Sequence, residues 1–499
     1  MKNLSFLTRT SLLLGFFFTL DKVLAFVRSI IIARTFNLSF ELDAFNVANN
    51  LPDLLFALIS GGALGMAFIP VLTEILTLNG RRAAWDLFSR FANLAFIVTG
   101  SAALVVAIFA EQIVKAQIGI APGFNADQQH LIAELMRLNL IATIIFSISG
   151  LVMASLQANQ HFLLPALAPT LYNVGQIFGA LVLAPRFGVH GLVYGVIIGA
   201  LLHLSIQIPA LIKYQFHWTP SIKLDPAVIE ALKVVGPRLL TMFMIQSMFI
   251  ARDNFASRLN QVGAISSLTY GWMIMQVPET LIGTAIATAL LPTLSQLAAR
   301  GDWENFRQTI EKALQILIAL TLPAAAIIAA GIHPLVRAAF GFDEAGTNLM
   351  TTTARIYMLT LCGYAIQEIA ARSFYARREA WYPFFGVVLR MAIYIPIALA
   401  ALNVFGSIGA PAIAFAELSL TVEAALMLFW LSRKLHEPLN INGALFKGLI
   451  AALVGGGTAY ALALLLPGSA VSTALIGMII GTGVALLIIQ REVRVLFNL

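Results

Sequence analysis

The sequence predicts an all-α polytopic membrane protein of about fourteen transmembrane helices, two pseudo-repeated six-helix lobes followed by two C-terminal helices. Three observations carry that expectation. The 499 residues are 59% hydrophobic and 11% charged, with a mean hydropathy of +0.87, whereas a soluble chain carries about 25% charged residues. Apolar runs near the roughly 20 residues that a bilayer crossing needs recur along the whole chain. The period-two alternation of an outer-membrane barrel is not seen in them.

Taken in order, the spans fall at 11–35, 44–76, 86–110, 131–157, 163–184, 189–213, 227–259, 266–298, 304–330, 346–375, 381–403, 409–432, 442–466 and 470–490. Gly, Pro and charge delimit them. The opening "MKNLSFLTRTSLLLGFFFTL" has the basic-then-apolar order of a secretory leader. No small-x-small cleavage site follows, and charges continue into the segment, so it reads as a retained first helix. Positive charge alternates from loop to loop: Arg81, Arg82 and Arg90, then Lys213 and Lys223, Arg300 and Arg307, Arg377 and Arg378, and Arg433, Lys434 and Lys447. With Lys2 and Arg9 at one end and Arg491 and Arg494 at the other, this predicts an even number of spans and both termini in the cytoplasm. The net charge of +7 is then a property of cytoplasmic loops, and no nucleic-acid partner is expected.

A repeat runs through the chain. "SLQANQHFLLP" (155–165) matches "SFYARREAWYP" (373–383) as S-x-x-A-x6-P, a spacing of 218. "GVHG" at 188 and "GSIG" at 406, and Trp85 and Trp303, keep the same spacing. "FIPVLTEI" (68–75) resembles "LLPTLSQL" (290–297) at a slightly larger one. The expected domains are an N-terminal lobe over 1–215, a C-terminal lobe over 216–435 and two extra helices over 436–499. Six is even, so both halves start on the same side. Repeated halves around a midplane cavity are a common transporter plan.

Ionisable groups within spans are costly and face protein or a wet cavity. Helix one carries Asp21, Lys22, Arg28 and Arg34. Asp21 and Arg28 share a face, Lys22 lies about 100° from Asp21, and two cations compete for one acid. Arg34 reads as a snorkelling interfacial residue. In helix two, "DAFNVANNLPD" places Asp43, Asn46, Asn50 and Asp53 on one face, and Pro52 should kink it. This stripe beside the two cations describes the wall of a wet, net-cationic cavity. Gly61 and Gly65 beyond it have the GxxxG-like spacing of closely packed helices.

The later helices are equipped differently. Gln246 and Asp253 share a face in helix seven, beside Arg252 and Asn254. Glu368 and Arg372 are spaced as a structural pair. Arg390 and Glu417, in helices adjacent in sequence, are expected to pair across the membrane interior. No catalytic residues are assigned and no enzyme is expected, because HExxH, Walker A and GxSxG patterns do not occur. Cys362 is the sole cysteine, so no disulfide or cysteine metal site forms within the chain. No cofactor is expected. Transport would be driven by Na+, H+, the membrane potential or the substrate gradient.

"DKVLAFVRSIIIARTF", "DAFNVANNLPDLL" and "GGALGMAFIPVL" resemble the opening of the MurJ/MviN lipid II flippase family, within the multidrug/oligosaccharidyl-lipid/polysaccharide exporter superfamily. "HFLLPALAPTLYNVGQI", "GPRLLTMFMIQSMFIARDNFAS", "LLPTLSQ" and "SFYARREAWYP" resemble its later motifs, in family order over about the first 430 residues. The resemblance implies a two-lobed, V-shaped flippase of the bacterial cytoplasmic membrane, alternating between inward- and outward-open states. Its substrate would be an undecaprenyl-pyrophosphate-linked sugar, and its partners membrane lipids and cell-wall synthesis enzymes. Lys22 and Arg28 would meet the pyrophosphate. Asp43, with Asp21, Asn46, Asn50 and Asp53, would line and switch the cavity. Asp253 would match the carboxylate of an ion site. Arg28 and Asp43 match family-essential positions. Lys22 stands where the family has Arg, which keeps the charge but loses the bidentate fork.

The chain departs from the family pattern at Phe56 and Ala57, where a basic pair is usual, at Gly61, where an acid is usual, and at Met273 and Gln276. Two other readings follow from those departures. One is an ion-coupled polysaccharide or drug exporter of the same superfamily, which would move small cations and not pyrophosphate lipids. The other is a non-transporting membrane scaffold or regulator, which would be indifferent to loss of Lys22 and Arg28.

Overall fold

The computed structural model describes residues 6–59, 62–223, 226–259 and 261–496, and no strand occurs among them. Lys2 and Gly61 lie outside the described residues. The helices are α1 (Phe6–Phe36), α2 (Phe40–Ala48), α3 (Asn50–Ile59), α4 (Gly62–Leu78), α5 (Gly80–Ile108), α6 (Ala110–Lys115), α7 (Ala126–Ala158), α8 (Leu163–Phe178), α9 (Ala184–Phe187), α10 (Val189–Ser205), α11 (Ile208–Lys213) and α12 (Pro226–Ser257). They continue as α13 (Ala264–Pro278), α14 (Ala285–Arg300), α15 (Trp303–Phe340), α16 (Glu344–Met358), α17 (Leu361–Ala376), α18 (Trp381–Phe405), α19 (Ala410–Phe415), α20 (Ser419–Leu435), α21 (Asn442–Leu465), α22 (Ala470–Ile488) and α23 (Gln490–Leu496).

The expected stretches lie largely on helical segments, and among the described residues ten helical runs are long and apolar enough to cross a membrane. Helix two stops after Ala48 and restarts at Asn50. Pro52 has no N–H for the Ala48 carbonyl and its ring crowds that group, so the break sits one turn before the proline. The expected single face of Asp43, Asn46, Asn50 and Asp53 is therefore split between two helices. The expected ninth span runs on to Phe340, through Pro334, and ends at left-handed Gly341. π-helical turns at Gly179–Leu183 and Glu279–Thr284 interrupt the fifth and eighth spans, and such turns often mark functional positions.

Packing divides the chain into two compact units, Met1–Asn260 and Gln261–Leu499. Helix α12, which sequence spacing assigns to the second repeat, packs on α3 and α4 of the first unit. Its end is tied down by polar contacts. Asn254 Nδ2 donates to the carbonyls of Gln117 and Gly119, and Gly123 N donates to Ser257 Oγ.

The repeat reappears in the two cores. In the first unit Phe88, Ala92, Ala95, Leu151, Val152 and Leu156 pack with Phe68 and Leu72. In the second, Phe306, Ile310, Ala313, Ile369, Ala370 and Phe374, each 218 residues on, pack with Leu290 and Leu294. The register slips at one turn. The positive-φ glycines that open the equivalent helices α10 and α19 are Gly188 (φ 57°, ψ −140°) and Gly409 (φ 77°, ψ −143°), not Gly188 and Gly406.

Small residues set the closest helix contacts. A Cβ on Gly175 would lie 2.3 Å from Gly199 Cα, and one on Gly179 would lie 2.6 Å from Gly195 Cα, so α8 and α10 meet backbone to backbone. In the second unit the two C-terminal helices form a like seam. A Cβ on Gly481 would lie 2.5 Å from the Gly455 carbonyl oxygen, and α21 and α22 both pack on α15.

Candidate functional site

The α8–α10 seam holds α8 in place, and α8 presents Asn173 to α1. Asn173 is 3% exposed. It accepts from Arg28 Nη1 at 2.9 Å and donates through Nδ2 to Asp21 Oδ1 at 2.8 Å. One side chain thus holds the acid and the cation that lie on one face of α1. The sequence leaves two cations competing for Asp21. The structure routes the link to Arg28 through an amide, so the guanidinium keeps most of its donors. Its Nε is buried and has no hydrogen-bond partner among the described residues.

Around Arg28 stand Asp53 of α3 and Tyr172 of α8, both within its electrostatic reach. Lys22 is exposed and Asp21 half-buried, and the two interact electrostatically. The formal charges of Lys22, Arg28, Asp21 and Asp53 cancel, so the cationic wall expected from sequence is locally balanced. Asp53 is exposed and Asp43 is 1% exposed, so the two acids of the stripe occupy different environments. Asp43 sits in the first turn of α2, which Ser39 caps by accepting from Leu42 N. Asn46 is half-buried on the same helix, and Arg34 is exposed in the last turn of α1.

Asn50 points to α12 and donates to Asp253 Oδ2 at 2.9 Å. Arg252 Nε donates to the other oxygen of Asp253 at 2.8 Å. Both charged groups are nearly inaccessible, at 5% and 1% exposure. Asp253 therefore has an internal cation and an amide already on its two oxygens. Where the family pattern has a basic pair, Phe56 begins a row of edge-to-face rings. It meets Phe146 at 5.3 Å, and Phe146 meets Tyr172 at 5.0 Å. Tyr172, at the end of this row, is within electrostatic reach of Arg28.

One end of the first unit gathers the loops that charge alternation puts on one side. Arg81 lies over the Tyr214 ring at 5.5 Å, Lys213 at 5.8 Å, and the His161 ring packs against it at 5.8 Å. Trp85 Nε1 donates to the Tyr214 carbonyl, while Thr219 Oγ1 and Trp218 Nε1 donate to Asp86 and Asn93.

In the second unit, Arg390 Nη2 donates to Glu417 Oε2, and Arg372 pairs with Glu368 while its Nη2 donates to Thr288. Sequence reasoning missed Asn173, which lies inside a quoted motif but has no charge to draw notice. It also missed Glu423, which stands near Arg390 and is fully buried.

Comparison with known proteins gives this geometry its family. A sequence profile of the family described as "Lipid II flippase MurJ" matches residues 32–480. A Burkholderia cenocepacia protein named "Lipid II flippase MurJ" is 30% identical over 75% of this chain and 74% of its own length. A Bdellovibrio bacteriovorus protein named "Probable lipid II flippase MurJ" is 26% identical over 88% of this chain and 84% of its own. The fold is similar to a solved structure described as "Lipid II flippase MurJ, inward closed conformation", with a TM-score of 0.81, 22% identity, and coverage of 97% of this chain and 100% of that one. It is also similar to a multidrug resistance MATE family transporter of the MOP superfamily, with a TM-score of 0.72, 14% identity, and coverage of 83% and 94%. The profile covers most of the chain, beginning just after Asp21, Lys22 and Arg28 and including Asn173 on α8. On that evidence the chain belongs to the MurJ lipid II flippase family, a family of membrane transporters.

Proposed function

We propose that this chain is an alternating-access flippase that carries lipid II, or a related undecaprenyl-pyrophosphate-linked sugar, from the inner to the outer leaflet of the bacterial cytoplasmic membrane. One observation supports this most directly. Arg28 is held by Asn173 through a single nitrogen, with a buried, unpartnered Nε beside it. Charged hydrogen-bond donors with unfilled capacity are what an entering pyrophosphate oxygen needs. Exposed Lys22 supplies a second cation on the same helix. Asp53 and Asp21 act as the resting counter-ions that the headgroup displaces. Asp43 orients the entry of the chain into α2, and Asn46 and Asn50 line the same broken helix.

The loops gathered around Tyr214 support a cytoplasmic placement of that end, and with it of both termini. On the outer leaflet the sugar would pass to cell-wall synthesis enzymes. The functional lobes are read from the sequence repeat as 1–215 and 216–435, with 436–499 as an added pair of helices and α12 as the segment of the second repeat that packs on the first unit.

The test is rescue of cells depleted of their essential lipid II flippase. The wild-type chain should restore growth, and R28A should not, at equal membrane abundance. Rescue by R28A would remove Arg28 from the mechanism. Failure of the wild type, combined with movement of small organic cations in liposomes, would favour the exporter reading suggested by the MATE-like fold.

A further inference from the structure

The second unit buries three charges that do not cancel. Arg390 on α18 is committed to Glu417, which lies in the 3-10 turn Ala416–Leu418. Its Nη1 lies 3.8 Å from Glu423 Oε2 on α20, too far for a hydrogen bond. Glu423 is 0% exposed; neither carboxyl oxygen has a partner in full hydrogen-bond geometry among the described residues, and the group that approaches as a donor is the neutral amide of Gln367. Glu417 and Arg390 are 3% and 8% exposed.

Helix α20 packs on α17, α18 and that 3-10 turn. The groups these elements turn toward Glu423 are Tyr364 and Gln367 of α17, Arg390 of α18 and Glu417. Glu279, in the π-helical turn, reaches the same tyrosine and accepts from Thr284 Oγ1 at 2.8 Å. Glu368 and Arg372 are paired with each other, and Lys434, at the far end of α20, is paired with Glu379. Gly386 closes the remaining side, where a Cβ would lie 3.2 Å from Glu423 Oε1.

Two carboxylates therefore face one guanidinium. A buried excess charge is costly enough that the group neutralises instead. A metal ion would be repelled by Arg390, and no group of three or more His, Cys, Asp or Glu able to hold one occurs among the described residues. The smallest neutralising ligand is a proton.

We propose that Glu423 is a proton-binding site, protonated while sealed against the Arg390–Glu417 pair and deprotonated when solvent reaches it. On release the O–H bond breaks, the electron pair stays on the carboxylate and the proton passes to water. Arg390 then divides its donors between Glu417 and Glu423, which gives the site two states. The site stands on this geometry alone. Its use as the coupling ion of transport rests on the flippase reading.

The test uses the full-length protein in phosphatidylcholine liposomes. Infrared difference spectra should show a protonated-carboxyl band at neutral pH that is lost on alkalinisation and unmoved when Na+ replaces choline. E423Q should remove the band and E279Q should keep it. A band unchanged in E423Q, or displaced by Na+, overturns the proposal. Should E423Q not insert, E423D must shift the band, and an unshifted band is equally fatal. Flipping of a pyrophosphate lipid by the wild type should change several-fold under an imposed pH gradient, and the response should vanish in E423Q. Flipping indifferent to the gradient overturns coupling and leaves the flippase reading standing. A normal band without flipping supports the proton site and sinks the flippase reading.

Discussion

Arg28 on α1 and Asn173 on α8 are joined side chain to side chain, Nη1 to Oδ1 at 2.9 Å, and the same amide donates to Asp21 at 2.8 Å. The asparagine sets the distance between a cation and an acid that would otherwise collapse onto one another. It leaves the guanidinium oriented and only partly occupied.

Removing that amide should impair transport without removing the charge. A hydrogen bond to a charged group contributes about 1.5–3 kcal/mol, so N173A should slow pyrophosphate-lipid flipping by roughly tenfold or more. R28K should retain part of the activity, since it keeps the charge and loses the fork. Liposome flipping assays with quantified insertion read both. Full activity in N173A would show that the bridge is only structural.

Asp253 should behave as half of a buried pair. D253A takes the carboxylate from the buried Arg252 guanidinium, and loss of one partner of such a pair costs about 3–5 kcal/mol. A large drop in thermal stability in detergent is expected. Because Arg252 already supplies the cation, exchanging Na+ for choline should leave the wild-type melting temperature unchanged. Stabilisation by Na+ that D253N abolishes would reverse this assignment.

The α8–α10 seam should tolerate no side chain. A Cβ at Gly195 would meet Gly179 Cα at 2.6 Å, so G195V should cost about 1–3 kcal/mol or more through overpacking. Gly100 on α5 has nothing within 4 Å of its virtual Cβ. G100A should be neutral or stabilise by about 0.5–1 kcal/mol. Thermal melts of the two variants side by side would expose an error if G195V melted like wild type.

His161 should make the first unit acid-sensitive. Burial, reinforced by Lys213, holds its imidazole below the ordinary value. The folded state then binds fewer protons than the unfolded one, so stability declines as pH falls below about 6.5. H161Q should lose less melting temperature than wild type on going from neutral to mildly acidic pH. Equal losses would count against the assignment.

The all-helical membrane character was legible because length and apolarity decide it, and the repeat because S-x-x-A and Trp recur at a fixed spacing. The core pairs Phe88 and Phe306, and Leu156 and Phe374, show that this spacing is one of packing, not chance. The π-helical turns were not legible, since nothing in local propensity marks them. Asn173 was missed because its partner is 145 residues away. Adjacent residues on a helix do not face one another, so the spacing does not announce the Arg252–Asp253 pair, which forms because the arginine's flexible stem brings Nε round to the carboxylate. Glu423 was missed because pairing Arg390 with Glu417 left its charge apparently accounted for.

Where α8 and α10 touch at Gly175, Gly179, Gly195 and Gly199, the contact is largely backbone on backbone. The two helices must consequently travel as one piece, like planks glued edge to edge. The grip on Arg28 is thus anchored, through Asn173, to a two-helix unit and not to a lone helix.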